Sequence, residues 1–353
     1  MSSSSHPNSP PNPRPRPRFA RDLETPALDL PPGKAIGAVL AVVRDQSGDL
    51  FLLHQPNAQG LDPDHEGLEC WLPPVVRLSP DYKFVAAWGG PHSVPEIDGV
   101  SQWPSGAEGL ECDGEGNIWV FGYRAGDNAV LKFTPAGELL LQIGARGKTG
   151  DDTSTQYLDR PTACHHDIAN REVFISDGYG NRRVIAFNSD TGEFTRMWGA
   201  FGKQPGELSE DDSYGSPVHK VIRGPNGLLY VADRKKSRIQ EFELTPGGAH
   251  YIREAYVAPG TNVYNSGSAW DIGFSPDGRF IHVADGGNFR VWSLDIESLE
   301  VLGSTTVHEE YENEVNRPIV YTLLHRFWVE PNGDLLLACV NRGLRRLRFL
   351  GVR

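Results

Sequence analysis

Cysteine is scarce and scattered: Cys70, Cys112, Cys164 and Cys339 are the only four in 353 residues, and none forms a C-x-x-C pair. A chain this long can bury a core without covalent staples, so free thiols and a reducing, cytoplasmic compartment are expected. Basic residues are in deficit, 34 against 46 acidic, which leaves a net charge of −12. That balance argues against nucleic acid or an anionic membrane as the main partner, because phosphate binding needs a basic face. Long hydrophobic runs are missing as well. The longest, AIGAVLAVV at 35–43, falls short of the roughly 20 residues a membrane-spanning helix needs. No secretion signal is read at the start of the chain. G-x-S-x-G, H-E-x-x-H and P-loop motifs are also absent, which removes the motif-bearing serine hydrolases, zincins and nucleotidases. A small-molecule substrate is the expected partner, with no obligate protein partner evident.

Glycine and proline are plentiful, at 39 and 27 residues. Nine of the prolines lie within residues 1–32, among serine and arginine. Such a segment buries too little apolar surface to offset its ordering entropy. Residues 1–18 are therefore expected to be a disordered tail and 19–353 a single domain.

Within the domain a hairpin pattern recurs: a β-type run, a tight Gly/Asn/Asp turn, and a second apolar run. It is found as AVVRDQSGDLFLL, GLECDGEGNIWVF, ACHHDIANREVFIS, KVIRGPNGLLYVA, DIGFSPDGRFIHVA and RFWVEPNGDLLLA, with Arg171 replacing the turn glycine in the third copy. Equivalent positions at the start of the first strand are Leu40, Glu108, Thr162, His219, Trp270 and His325, separated by 68, 54, 57, 51 and 55 residues. Six units of about four strands predict an all-β, six-bladed β-propeller with antiparallel blades, since one blade cannot bury both faces alone. The sixth unit runs out after LRRLRF. Its outer strand is expected from residues 19–32, closing the ring from the N-terminal side.

In a propeller, the first strands line a central channel and the second strands return to the mouth where the first began. Glu108, His219 and His325 then sit on alternate blades, two imidazoles and a carboxylate facing one axis, a set suited to an open catalytic metal. At the same mouth fall Gln55, Tyr123, Arg124, Tyr179 and Arg234, with Trp270 on the channel wall. Counting by twos from Thr162, His166 faces the channel and His165 packs between blades.

The segments EGLECDGEGNIWV, SDGYGNRRVIAF, VADRKKSRIQEF and VADGGNFRVWSL resemble NHL repeats, and their arrangement is similar to the peptidyl-α-hydroxyglycine α-amidating lyase family. The resemblance covers roughly residues 35–350 and is strongest from 105 to 243. It implies a zinc ion, or another divalent transition metal, held by Glu108, His219 and His325, with glutamate standing where the family has a third histidine. It implies a catalytic role for Tyr179 and Arg234. A second arginine of the family falls on Gln55. A calcium ligand of the family falls on Arg326, so calcium is not expected there.

The resemblance also implies lyase chemistry, breaking a C–N or C–O bond at a hydroxylated carbon. The metal would polarise an oxygen, Tyr179 with a lowered phenol pKa would act as base, and Arg234 would orient an anion. Gln55, Tyr123, Arg124 and Trp270 would contact the substrate, which the loss of the early arginine makes different from the family's own. Two alternatives remain: a metal-dependent, lactonase-like hydrolase and a non-catalytic NHL interaction module.

Overall fold

The computed structural model describes residues 14–55, 70–260, 266–307 and 323–353. Most of the predicted tail, residues 1–13, lies outside the described residues. The strands form six four-stranded antiparallel sheets plus a small hairpin. From the axis outwards, the innermost strands are Ala38–Arg44, Ala107–Cys112, Pro161–Asp167, Lys220–Arg223, Asp271–Phe274 and Leu324–Val329, one in each of blades 1 to 6. This is the predicted six-bladed propeller.

The second strands carry near-continuous apolar runs, because each blade is covered on both faces. Leu50–Gln55, Glu172–Asp177 and Leu335–Cys339 are buried along almost their whole length. Six apolar clusters result, and each joins residues of two neighbouring blades. Phe121 and Ile175 meet between blades 2 and 3, and Val42 and Leu336 between blades 1 and 6. The core is therefore a ring of six interfaces around the axis.

Closure takes place in blade 6, whose outermost strand is Pro17–Glu24, paired antiparallel with Gly343–Val352. Phe19, 8% exposed, packs there against Phe349 and His282. The closing strand overlaps the predicted window and starts slightly ahead of it. The turn glycines Gly48, Gly116, Gly227, Gly278 and Gly333 all have positive φ, and Arg171 adopts the same conformation at φ 51°. For a non-glycine residue that conformation costs about 1 kcal/mol.

The repeat motif D-x5-R or D-x4-R also has a physical basis. Asp177 closes the second strand of blade 3 and pairs with Arg183 opening the third, at 3.0 Å and fully buried. Asp233 and Arg238 repeat this in blade 4 at 2.9 Å. None of the four cysteines is in a disulfide, as expected from their scatter. Among the described residues, no helix is long and apolar enough to cross a membrane.

Candidate metal centre and active site

In four blades the channel residue is the extra residue of a β-bulge. The register passes from Val39 to Ala41, from Ala107 to Gly109, from Pro161 to Ala163 and from Leu324 to Arg326, leaving Leu40, Glu108, Thr162 and His325 without strand partners. A bulge sets two residues against one, which bends the strand and re-aims the extra side chain. His219 and Trp270 sit just ahead of their strands, with their N–H groups bonded to the carbonyls of Ala232 and Ala284.

These bulges bring Glu108, His219 and His325 together. One candidate ligand atom from each lies within 4.8 Å of the others, and all three residues are buried. His219 Nδ1 is 2.6 Å from the Trp270 carbonyl, and His325 Nδ1 is 2.7 Å from the Leu40 carbonyl. A carbonyl can only accept, so both Nδ1 atoms carry hydrogen and both Nε2 atoms present lone pairs. His219 Nε2 and Glu108 Oε1 are buried without any hydrogen-bond partner. Orphaned acceptors converging on one point, each imidazole oriented by a carbonyl, fit a divalent metal.

Electrostatics agree with that fit. Burial, reinforced by the Arg326 charge, lowers the His325 pKa to about 3, and burial with Arg234 holds His219 well below its ordinary value. Both imidazoles are therefore neutral, the ligating form. Burial raises the Glu108 pKa to about 7, against the pull of Arg326 and Arg234.

Tyr179 and Arg234 stand over this set. The Tyr179 hydroxyl is 3.4 Å from Glu108 Oε2, and Arg234 Nη1 donates to it at 3.3 Å. Arg234 Nε donates to the Ser266 carbonyl at 3.0 Å, and its guanidinium lies 3.5 Å from the centre of the Trp270 ring. Tyr179 is fixed through its backbone: its carbonyl accepts from Ser216 Oγ at 2.8 Å and from Arg160 Nη2 at 3.1 Å. The expected acidification of this phenol is not met by the side chains alone. Burial and the facing Glu108 carboxyl raise its pKa, and Arg234 offsets only part of that.

The other predicted residues form the surroundings. Gln55 donates to the Ala107 carbonyl at 2.7 Å, beside Glu108. The Tyr123 ring lies 6.1 Å from that of Tyr179, and exposed Arg124 lies over Tyr123 at 6.0 Å, at the rim. Trp270 is 3% exposed and one ring face is taken by Arg234, so it supports the site from behind.

The expectation that His166 faces the channel is not met. The bulge at Thr162 shifts the alternation by one residue, so His166 packs between blades against Trp119 and Ser189. His165 comes under the influence of the Lys220 charge instead. Counting by twos also missed a second layer of residues, Glu111 and Arg326 past bulges and Lys220 and Asp271 at the first positions of unbulged strands. Lys220, Asp271 and Arg326 each directly follow a channel residue already identified, and that adjacency is the signal that could have found them.

No family model matches the chain. Mouse NHL repeat-containing protein 3 is 26% identical over 219 residues, 60% of this chain and 55% of that protein. Mouse peptidyl-glycine alpha-amidating monooxygenase is 28% identical over 263 residues, 69% of this chain and 24% of the enzyme. Peptidyl-alpha-hydroxyglycine alpha-amidating lyase 1 of Drosophila melanogaster is 26% identical over 61% of this chain and 39% of that protein. The chain is a homologue of NHL-repeat proteins and amidating lyases. Its matches thus span 24–55% of the length of these three relatives. Among solved structures, virginiamycin B lyase from Staphylococcus aureus superposes with a TM-score of 0.53 at 10% identity, covering 96% of this chain and 89% of that one. That likeness shows the propeller fold alone.

Proposed function

We propose that this NHL-type propeller is a metal-dependent lyase acting on a small substrate in its channel. The observation that carries the reading is the Tyr179 hydroxyl, set 3.4 Å from the carboxylate of the triad and 3.3 Å from the Arg234 guanidinium. Two imidazoles and one carboxylate favour zinc or another divalent transition metal over calcium, which takes oxygen ligands. When bound, such an ion polarises a substrate oxygen and supplies the positive charge that the side chains alone lack.

Arg234 would then orient a substrate anion with the N–H groups of its fork, its plane held by Trp270. Tyr179 moves one proton. As phenolate it takes the proton of the substrate's hydroxyl; the C=O bond forms as the C–N or C–O bond breaks, and the proton passes to the departing nitrogen or oxygen. No water is consumed, which separates this reaction from hydrolysis. Gln55 lacks the charge of the arginine the lyase family has there, so the substrate is read as different from a peptidyl hydroxyglycine. The −12 charge and four cysteines outside any disulfide support a small-molecule enzyme of a reducing compartment, independent of nucleic acid, membrane or a protein partner.

Aldehyde release from N-acyl α-hydroxylated amides and hemiacetal esters by the zinc-loaded protein, quantified by hydrazine trapping, tests the reading. Release that disappears in the His219→Ala variant supports it. Turnover of lactones alone would replace it with the hydrolase reading. Inertness toward all these compounds, with zinc bound, would leave an interaction module.

A further inference from the structure

Beneath the triad, five blades send groups into one layer of the channel. Arg326, 2% exposed, donates from Nη2 to the Thr162 carbonyl. Its Nη1 lies 3.5 Å from Glu111 Oε1 and 3.8 Å from Asp271 Oδ1, and its guanidinium lies 5.4 Å from the centre of the Phe121 ring. Gly109 makes room for that ring, since a Cβ there would come within 1.7 Å of it. Lys220 reaches the same two carboxylates: it is bonded to Glu111 Oε1 and stands 3.5 Å from Asp271 Oδ1. Oxygens from blades 2, 3 and 5 thus converge on cations from blades 4 and 6.

Two carboxylates and a backbone carbonyl are the donor chemistry of a hard divalent cation. We propose that this layer is a cation site that the chain fills with its own side chains. Arg326, backed by Lys220, holds blades 2, 3 and 5 together where calcium would otherwise do so, and the fold has no calcium requirement. The calcium site implied by the resemblance to amidating lyases does not fit here, because a guanidinium stands among the oxygens and an ammonium beside it. Arginine suits this position because it stays charged when buried and its fork reaches several acceptors at once. The layer is loosely knit. Arg326 Nε and Nη1 and Asp271 Oδ1 have no hydrogen-bond partner, and a cavity of about 220 Å³ adjoins them. Room for an ion is therefore present once the arginine is removed.

Calcium alone, titrated into the metal-stripped 353-residue chain, is the probe, with binding read by calorimetry and stability by thermal melting. The wild type is expected to bind no calcium at this layer and to melt at the same temperature with or without millimolar calcium. Arg326→Met should melt lower by about 5 °C or more, since it leaves buried Asp271 and half-buried Glu111 against one ammonium. Arg326→Lys should recover part of that loss. Arg326→Asp should gain a calcium-dependent rise in melting temperature. Stoichiometric calcium binding that raises the melting temperature of both the wild type and the His219→Ala variant would overturn the proposal, as would an Arg326→Met protein that melts like the wild type. If Arg326→Asp does not fold, the wild-type titration and the methionine and lysine variants still decide. None of these readouts depends on the lyase reading.

Discussion

The Trp270 carbonyl accepts from His219 at 2.6 Å, while the Trp270 ring carries the Arg234 guanidinium at 3.5 Å. One residue therefore orients a candidate metal ligand through its backbone and the Arg234 cation of the candidate site through its indole. Gly286 packs on that indole, and a Cβ there would come within 2.7 Å of it. The two functions separate under mutation, because only the second needs the ring.

Trp270→Leu should retain the metal and loosen Arg234. A desolvated cation–π contact is worth about 2 kcal/mol, so roughly a tenfold or greater fall in kcat/KM is expected, mostly as a higher KM for an anionic substrate. Steady-state kinetics beside metal analysis of the same sample checks it. Loss of metal would mean that the ring also holds His219.

His219→Ala and His325→Ala should each abolish stoichiometric metal, and Glu108→Gln should weaken it, as measured by elemental analysis after dialysis. Uptake should also depend on pH with a definite sign. Glu108 has its pKa raised to about 7, so below that pH its carboxyl is protonated and the metal must displace a proton. Affinity should fall about tenfold per pH unit below 7 and level off above it. The neutral histidines, with pKa values lowered by burial, add no further proton over that range. Calorimetry in two buffers of different ionisation enthalpy counts the proton released.

Tyr179→Phe removes the hydroxyl between Glu108 and Arg234 and leaves all three ligands in place. Turnover should drop by about 10²–10⁴-fold at full metal occupancy, the usual worth of a positioned proton-transfer group. Retained turnover would exclude Tyr179 as the proton carrier.

Deletion of residues 1–24 strips the closing strand from Gly343–Val352 and uncovers Leu347 and Phe349, which pack with Phe19. An exposed sheet edge pairs readily with other chains. The truncated protein should melt at a lower temperature and run as soluble oligomers in gel filtration, whereas deletion of residues 1–13 should change neither.

Much of this molecule was legible in the one-dimensional pattern. Hairpins with turn glycines at near-constant spacing specify blades, and the missing sixth outer strand specifies the closure. Glu108, His219 and His325 were found by register alone, because equivalent positions in a ring must face a common axis. His166 was misplaced for a reason equally physical. Alternation by twos fails at a bulge, and Thr162 is one. The raised Tyr179 pKa was also out of reach, since it depends on how fully the phenol is buried and on which carboxyl it faces.

Sequence by itself determined the six repeats, the alternation of ligand types around them and the lack of paired cysteines, because each is a matter of residue type and spacing along the chain. Only the tertiary structure decided which nitrogen of each imidazole faces the axis, that Trp270 supports Arg234 from behind, and that Arg326 and Lys220 occupy the layer below. Those outcomes follow from distances between blades that are remote in sequence, and ring closure is what makes them neighbours.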